Sequence, residues 1–166
     1  MNTSITNKQV FVALGNFLKS MFSCDVIIGE VNLVSMPQGS FILMNDVGKR
    51  RLSTNAHSYS SEGEMSVSTA TEYRIQLDFY GADSGDMCQS FISLANDLYA
   101  YESFPERIKP LYTSEPMQIP LVTGEENFLE QWTTEIHLQI NPTVTVPVTL
   151  IDELSVTIIL ANGESN

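Results

Sequence analysis

Apolar or β-favouring residues occupy every odd position from Met65 to Phe79: Met65, Val67, Thr69, Thr71, Tyr73, Ile75, Leu77 and Phe79. Ser66, Ser68, Ala70, Glu72, Arg74, Gln76 and Asp78 fill the positions between them. Unbroken period-two alternation predicts a β-strand with one apolar face. At roughly 3.4 Å per residue the strand is about 50 Å long, whereas a compact domain of this size is about 40 Å across. A continuous strand therefore overhangs its own domain. The cover for the overhanging apolar half is expected from another copy of the chain or from a partner, which points to an assembly component rather than a self-contained enzyme.

Other elements follow from the same patterning. Thr6-x-x-Gln9 has capping-box spacing, and Val10, Phe11, Leu14, Phe17, Leu18 and Met21 then form one stripe of an amphipathic helix. Short strands are expected at Val26–Ile28, Val31–Val34 and Phe41–Met44, with Pro37-Gln38-Gly39 turning between the last two. Leu52–Ser60 is polar and small with weak alternation, Ser60–Glu64 reads as a loop, and the natural pairing is a hairpin of Leu52–Tyr59 against Met65–Glu72. Too poor in apolar residues for a core element, this hairpin is expected to protrude as an arm. After Gly81 the period changes to 3.6. Asp83 or Ser84 caps a helix with Met87, Cys88, Phe91, Ile92, Leu94, Ala95, Leu98 and Tyr99 on its apolar face, stopped by Pro105. Prolines 110, 116 and 120 restrict Leu111–Leu121 to an edge. Gln131–Ile140 alternates again, with Trp132, Thr134, Ile136, Leu138 and Ile140 on one face and Thr133, Glu135, His137 and Gln139 on the other; a last strand spans Leu154 to Leu160. Segregated helices and strands give an α+β fold: a mostly antiparallel sheet, two main helices packed against it and a long protruding β-hairpin arm. The 166 residues carry no linker or repeat and read as one domain, 1–166, with 160–166 as a free tail.

Twenty acidic residues against eight basic ones give a net charge of −12. That balance argues against a nucleic-acid grip, which needs clustered Lys and Arg. It suits solubility, and equally a channel wall past which DNA slides without sticking. Cys24 and Cys88 lie far apart in apolar contexts and read as reduced core residues rather than a disulfide. No secretory signal is visible and no stretch approaches the roughly 18 apolar residues of a membrane span, so Asn2-Thr3-Ser4 has little meaning as a glycosylation triplet.

Catalytic chemistry needs convergent titratable groups, and the sequence is short of them. His57 and His137 are its two histidines; His137, on the polar face of a strand, reads as an ordinary surface residue. No His-x-x-x-His, Cys-x-x-Cys or Gly-x-Ser-x-Gly pattern is present, so neither an enzyme nor a metal or cofactor site is expected. Gly81–Asp86 holds two acids but not the calcium-loop spacing, and a helix cap accounts for it. Glu125-Glu126 and Asp152-Glu153 are adjacent pairs rather than facing ones. Three of the eight bases sit together as Lys49-Arg50-Arg51, just before the arm. A solvated turn, a clasp on an acidic neighbouring subunit and a small nucleic-acid patch all remain open for them.

Several segments together resemble the tail terminator (neck terminator, tail completion) proteins of tailed bacteriophages. They are Met36-Pro37-x-Gly39 with Phe41-Ile42-Leu43-Met44, Arg50-Arg51-Leu52-Ser53-Thr54-Asn55, Gln76-Leu77-Asp78-Phe79-Tyr80-Gly81 and Pro110–Pro116, followed by Glu130-Gln131-Trp132-Thr133 and Asn141–Pro147. None carries chemistry; their order and spacing across 36–158 make the match. The resemblance implies a virion protein, assembled in the host bacterial cytoplasm, that forms a homo-oligomeric ring, usually of six copies, on the head-proximal end of the tail tube. The ring stops tube polymerisation and offers a docking surface to the head–tail connector or head-closure protein, while DNA passes through the lumen without specific binding. No membrane takes part. Subunit contacts are expected from the arm and its root: Lys49, Arg50, Arg51, Thr54, His57, Met65, Val67, Thr69 and Tyr73. Rival readings are another neck or tube ring protein, a soluble α+β ligand-binding module, or a small hydrolase.

Overall fold

The computed structural model describes residues 3–29, 37–61, 63–122 and 128–148. The strands expected at Val31–Val34 and Leu154–Leu160, the tail at 160–166, and the acidic pairs at 125–126 and 152–153 lie outside the described residues.

The first helix, α1 (Asn7–Met21), begins as its spacing predicts. The Thr6 hydroxyl accepts from Gln9 N, and the Gln9 side chain reaches back to Thr6 N, so two otherwise unpaired backbone donors are satisfied. Val10, Phe11, Leu14, Phe17 and Leu18 are buried. Strands β1 (Asp25–Ile28) and β2 (Phe41–Arg51) follow and pair in parallel. Next come β3 (Ala56–Tyr59), β4 (Glu64–Ser68) and β5 (Thr71–Tyr80), then helices α2 (Ser84–Ala95) and α3 (Leu98–Ser103). The last described strands are β6 (Ile108–Thr113), β7 (Met117–Val122), β8 (Phe128–Ile140) and β9 (Thr143–Pro147).

The main sheet runs β1-β2-β5-β8-β6, and β7 takes the remaining length of the β8 edge. All of its pairings except β1–β2 are antiparallel. Pro110 and Pro120 lie in β6 and β7, the edge positions where a missing N–H costs no ladder bond. Tyr73, Ile75, Leu77 and Phe79 on β5 stand opposite Leu138, Ile136, Thr134 and Trp132 on β8. With the helices they form the core, where Phe91 meets Phe17 and Phe79 at ring-centroid distances of 6.2 and 5.8 Å.

The sequence expectations need correction at three places. The helix after Gly81 is two helices: Asp97 caps α3 by accepting from Tyr99 N at 3.1 Å, which ends α2 at Ala95. Asp83 does precede α2, but its side chain makes no capping bond. The alternating run from Met65 to Phe79 is also two strands, interrupted at Thr69–Ala70, and its halves belong to different sheets. Finally, the hairpin is shorter than expected and has a third strand. The second sheet is ordered β3-β4-β9, pairing Ala56–Tyr59 with Met65–Ser68 and Glu64–Ser68 with Thr143–Pro147.

The two sheets are related strand by strand. β2 leads to β3, β4 leads to β5 and β8 leads to β9, so the central order β2-β5-β8 is repeated as β3-β4-β9. All three crossings are interrupted: at 52–55, at 69–70 and at 141–142, where Pro142 denies the ladder a donor. Leu52 N donates to Ala70 O at 2.9 Å and Thr69 N to Pro142 O at 3.3 Å, so the joint is bonded although the ladders stop.

Phe91 fixes the helical layer on the sheet. Phe91→Ala is expected to cost about 3–5 kcal/mol of unfolding free energy, read from urea melts; a loss below about 1 kcal/mol would mean that the layer is held elsewhere.

Candidate assembly surface

The β3-β4-β9 sheet is an arm without a core. No residue of β3, β4 or β9 is buried, and Tyr59 is 67% exposed. Directly opposed residues of antiparallel strands share a face. The register sets His57, Val67 and Val144 in one row across the arm and Tyr59, Met65 and Val146 in the next. One face therefore carries five large apolar side chains and a histidine. The other carries Ala56, Ser58, Glu64, Ser66, Ser68, Thr143, Thr145 and Pro147, with Ser66 and Thr145 hydroxyls bonded at 3.0 Å. At the tip, Gly63 adopts φ +77°, a conformation costly for other residues, and accepts from Val148 N at 2.8 Å.

The root of the arm is held by polar contacts within the chain. Gly48, at φ +134°, sits in a bulge of β2, and beyond it Lys49, Arg50 and Arg51 oppose Tyr73, Glu72 and Thr71. The basic triplet is thus the end of a strand rather than a turn. Lys49 Nζ donates to Asn7 Oδ1 at 2.5 Å and lies 4.4 Å from the Tyr73 ring centroid. Arg50 forks onto Glu72 Oε2, its Nε donating at 3.0 Å and its Nη2 closing the pair. Arg51 is exposed.

Glu72 is the hub of this root. Its carboxylate is 2% exposed; besides Arg50 it meets His137 Nδ1 at 2.5 Å and accepts from Tyr112 Oη at 3.3 Å. Tyr112 stacks on His137 at 4.2 Å, and Glu135 lies 3.8 Å from the other ring nitrogen. His137 is therefore not the surface residue its polar-face position suggests. Cross-strand partners bury it, and they are set by register rather than by local sequence. The hydrogen bonds from His137, then those from Arg50, hold the Glu72 carboxyl below its ordinary range despite its burial.

The candidate residues consequently separate. His57, Met65 and Val67 lie together on the arm's apolar face. Thr54 is exposed beside the joint, and Thr69 is at it, donating through its hydroxyl to Asn55 Oδ1 at 2.9 Å. Lys49, Arg50 and Arg51 flank the root. Tyr73 is misplaced in that set: it is wholly buried, its ring edge-on to Phe11 and its hydroxyl donating to Asp46 Oδ2 at 2.5 Å, so it belongs to the core. Tyr59 lies in the expected arm, whereas Val144 and Val146 of its apolar face were not expected there. The alternation Val144-Thr145-Val146 was available as a strand signal, but prolines at 142 and 147 hid it.

Among the described residues no group of three His, Cys, Asp or Glu side chains could hold a metal ion, and no helix is long and apolar enough to cross a membrane. Cys24 and Cys88 are free thiols; burial pushes both upward, Cys88 to about 12.

The described residues form a mixed sheet backed by helices, with a coreless three-stranded arm whose apolar face is half-buried at Met65, Val67, Val144 and Val146 and exposed at Tyr59. Residues 8–163 match the family model described as phage neck terminator protein, and the chain belongs to that family. Membership implies a place in the neck and tail of the virion. Among solved structures, the fold is similar to the PVC sheath/tube terminator of an extracellular contractile injection system in its extended state. The TM-score is 0.58 and the identity 11%, over 99% of this chain and 67% of that one. No curated protein matches the sequence.

The lowered Glu72 carboxyl has a pH signature. The folded chain binds its proton less readily than the unfolded chain, so the contribution is complete above the ordinary carboxylate range near pH 4.3. It is lost as pH falls through the depressed folded value. Glu72→Gln is expected to destabilise the chain at neutral pH and to flatten the acid limb of the stability curve, measured as urea midpoints from pH 7 down to acid. An unchanged limb would assign acid sensitivity to other carboxylates.

Proposed function

We propose that this chain closes into a ring, of six copies, on the head-proximal end of a phage tail tube. The ring ends tube polymerisation, presents a docking surface to the head–tail connector or head-closure protein, and lets DNA pass through its lumen. Its partners are other copies of itself, the tail tube protein and the connector; nucleic acid is passed rather than gripped, and no membrane is involved. It is a structural protein, not an enzyme, assembled in the host bacterial cytoplasm.

The observation that carries this reading is the arm's apolar face, of which no residue is buried, on a chain of the neck terminator family. Exposed apolar surface gathered on one side of a projecting sheet is what a subunit contact needs. Arms reaching from copy to copy make head-to-tail contacts, which close into a ring when the rotation permits. A net charge of −12 on each copy supports a lumen that repels phosphate. The two free thiols agree with assembly in a reducing compartment. Arg50 serves its own chain's Glu72, which leaves Arg51 as the member of the basic triplet offered to a neighbour.

Light scattering after size exclusion, across a concentration series, is expected to give a closed species of six times 18.5 kDa. Electron microscopy of tail tubes incubated with the protein is expected to show it at one end. A chain that neither assembles nor caps tubes would overturn the reading. Val67→Asp combined with Val144→Asp is expected to leave a folded monomer that does neither; Tyr73 is no substitute target, because a charge there enters the core. Assembly unchanged by the double substitution would remove the arm from the interface.

A further inference from the structure

Resting on the ring reading, the geometry points to an acceptor for the arm: an apolar groove between α1 and the start of β6, taking the arm of a second copy of this chain. The groove encloses about 630 Å³, and Ile5, Val12, Ala13, Pro105 and Ile108 supply its apolar lining. Val12 is 51% exposed and is the apolar member of the otherwise polar outer face of α1, among Asn7, Lys8, Gln9, Asn16, Lys19 and Ser20.

Three observations select the arm as occupant. The first is shape and polarity. The arm's apolar face is a sheet surface two residues deep on each of three strands, presenting Met65 and Val67 from the central one, and the groove is an apolar concavity. The two surfaces differ, as a heterologous contact requires, and each copy carries both.

The second is charge. The groove is rimmed by Lys8 and Arg107 with a single acid, Glu106, on a chain with only eight bases. The described residues of the arm's tip, Ser60, Ser61, Gly63 and Glu64, include an acid and no base. Opposite charges flanking an apolar contact orient it and speed encounter.

The third is continuity with the arm. Arg107, on the groove rim, donates to Thr143 Oγ1 at 3.1 Å, and Ser4, at the groove's end, exchanges bonds with the Thr143 backbone at 3.0 and 2.9 Å. Thr143 opens β9, so the groove abuts the arm root of its own chain. An arm seated there touches its neighbour's arm root, and each subunit's donor and acceptor surfaces form one continuous belt.

The test uses full-length chains of two sizes, one tagged, in a Cys24→Ser background; the buried Cys88 stays. One carries Val12→Cys and the other Val67→Cys. Mixed and mildly oxidised at the highest soluble concentration, they are expected to yield the mixed disulfide in preference to either homodimer. They should also exceed a control pair of Val67→Cys with Leu94→Cys, an exposed position on α2. Mixed product no greater than the control overturns the groove. In parallel, Val12→Asp, at a position exposed enough to leave folding intact, is expected to weaken association about tenfold or more. If Val67→Asp with Val144→Asp abolishes assembly while Val12→Asp changes nothing, the arm docks elsewhere and only the groove falls. If neither changes the wild-type mass, the arm reading falls with it.

Discussion

The constraint on which the structure depends is that three strands break at one level. β2, β5 and β8 run unbroken beneath the helices, and each is interrupted before it continues as β3, β4 or β9. Short of the break, the apolar rows meet α1, α2 and α3 and are buried to a few per cent exposure or less. Past it, the same two-residue period continues with no helical layer above it among the described residues, and those of the arm are half-buried or exposed. A three-stranded sheet with one apolar face becomes stable when that face is covered. Among the described residues, the break separates a part with a buried core from a part with no buried residue.

The polar network at the root makes the division rigid. A carboxylate as buried as Glu72 is costly unless it is paired and hydrogen-bonded. Here β2 supplies Arg50, β8 supplies His137 and β6 supplies Tyr112, so one side chain ties together four strands next to the break. Asp46 does the same on the helix side, accepting from Tyr73 of β5 and from Asn7 at the start of α1. The backbone bonds from Leu52 to Ala70 and from Thr69 to Pro142 then carry this order across the joint. The arm therefore leaves the body from a fixed root, which a directed contact between copies requires.

Local rules were sufficient for much of this. The capping box of α1, the paired alternations of β5 and β8, and the edge placement of the prolines were all legible, because each depends on neighbours within a few residues. The arm was legible in outline from the overlong alternation ending at Phe79. Its third strand was not, because Val144 and Val146 acquire meaning only once β9 pairs with β4, about 80 residues away in sequence. His137 and Tyr73 failed for related reasons. Parity assigned the histidine to the polar face correctly, but only the register of β5 and β6 against β8 buries it between Glu72 and Tyr112. Tyr73 shares the parity of Met65 and Val67 and was grouped with them, yet the break at Thr69–Ala70 puts it on the covered side. Sequence period reports which face a residue occupies, and it is silent on where the cover ends.

A chain divided in this way couples assembly to order. Apolar burial is worth about 25 cal/mol per Å² removed from water, and the arm of an isolated copy leaves Tyr59 exposed and the rest of its apolar face half-buried. A neighbour that covers the arm supplies that burial only in the associated state, so the stability of the arm rises with subunit concentration by mass action. On a closed ring each copy both gives and receives one such contact, and the last subunit closes two at once. An open row of subunits always retains one bare arm and one unfilled acceptor. The free-energy difference between row and ring therefore favours closure over continued lateral growth.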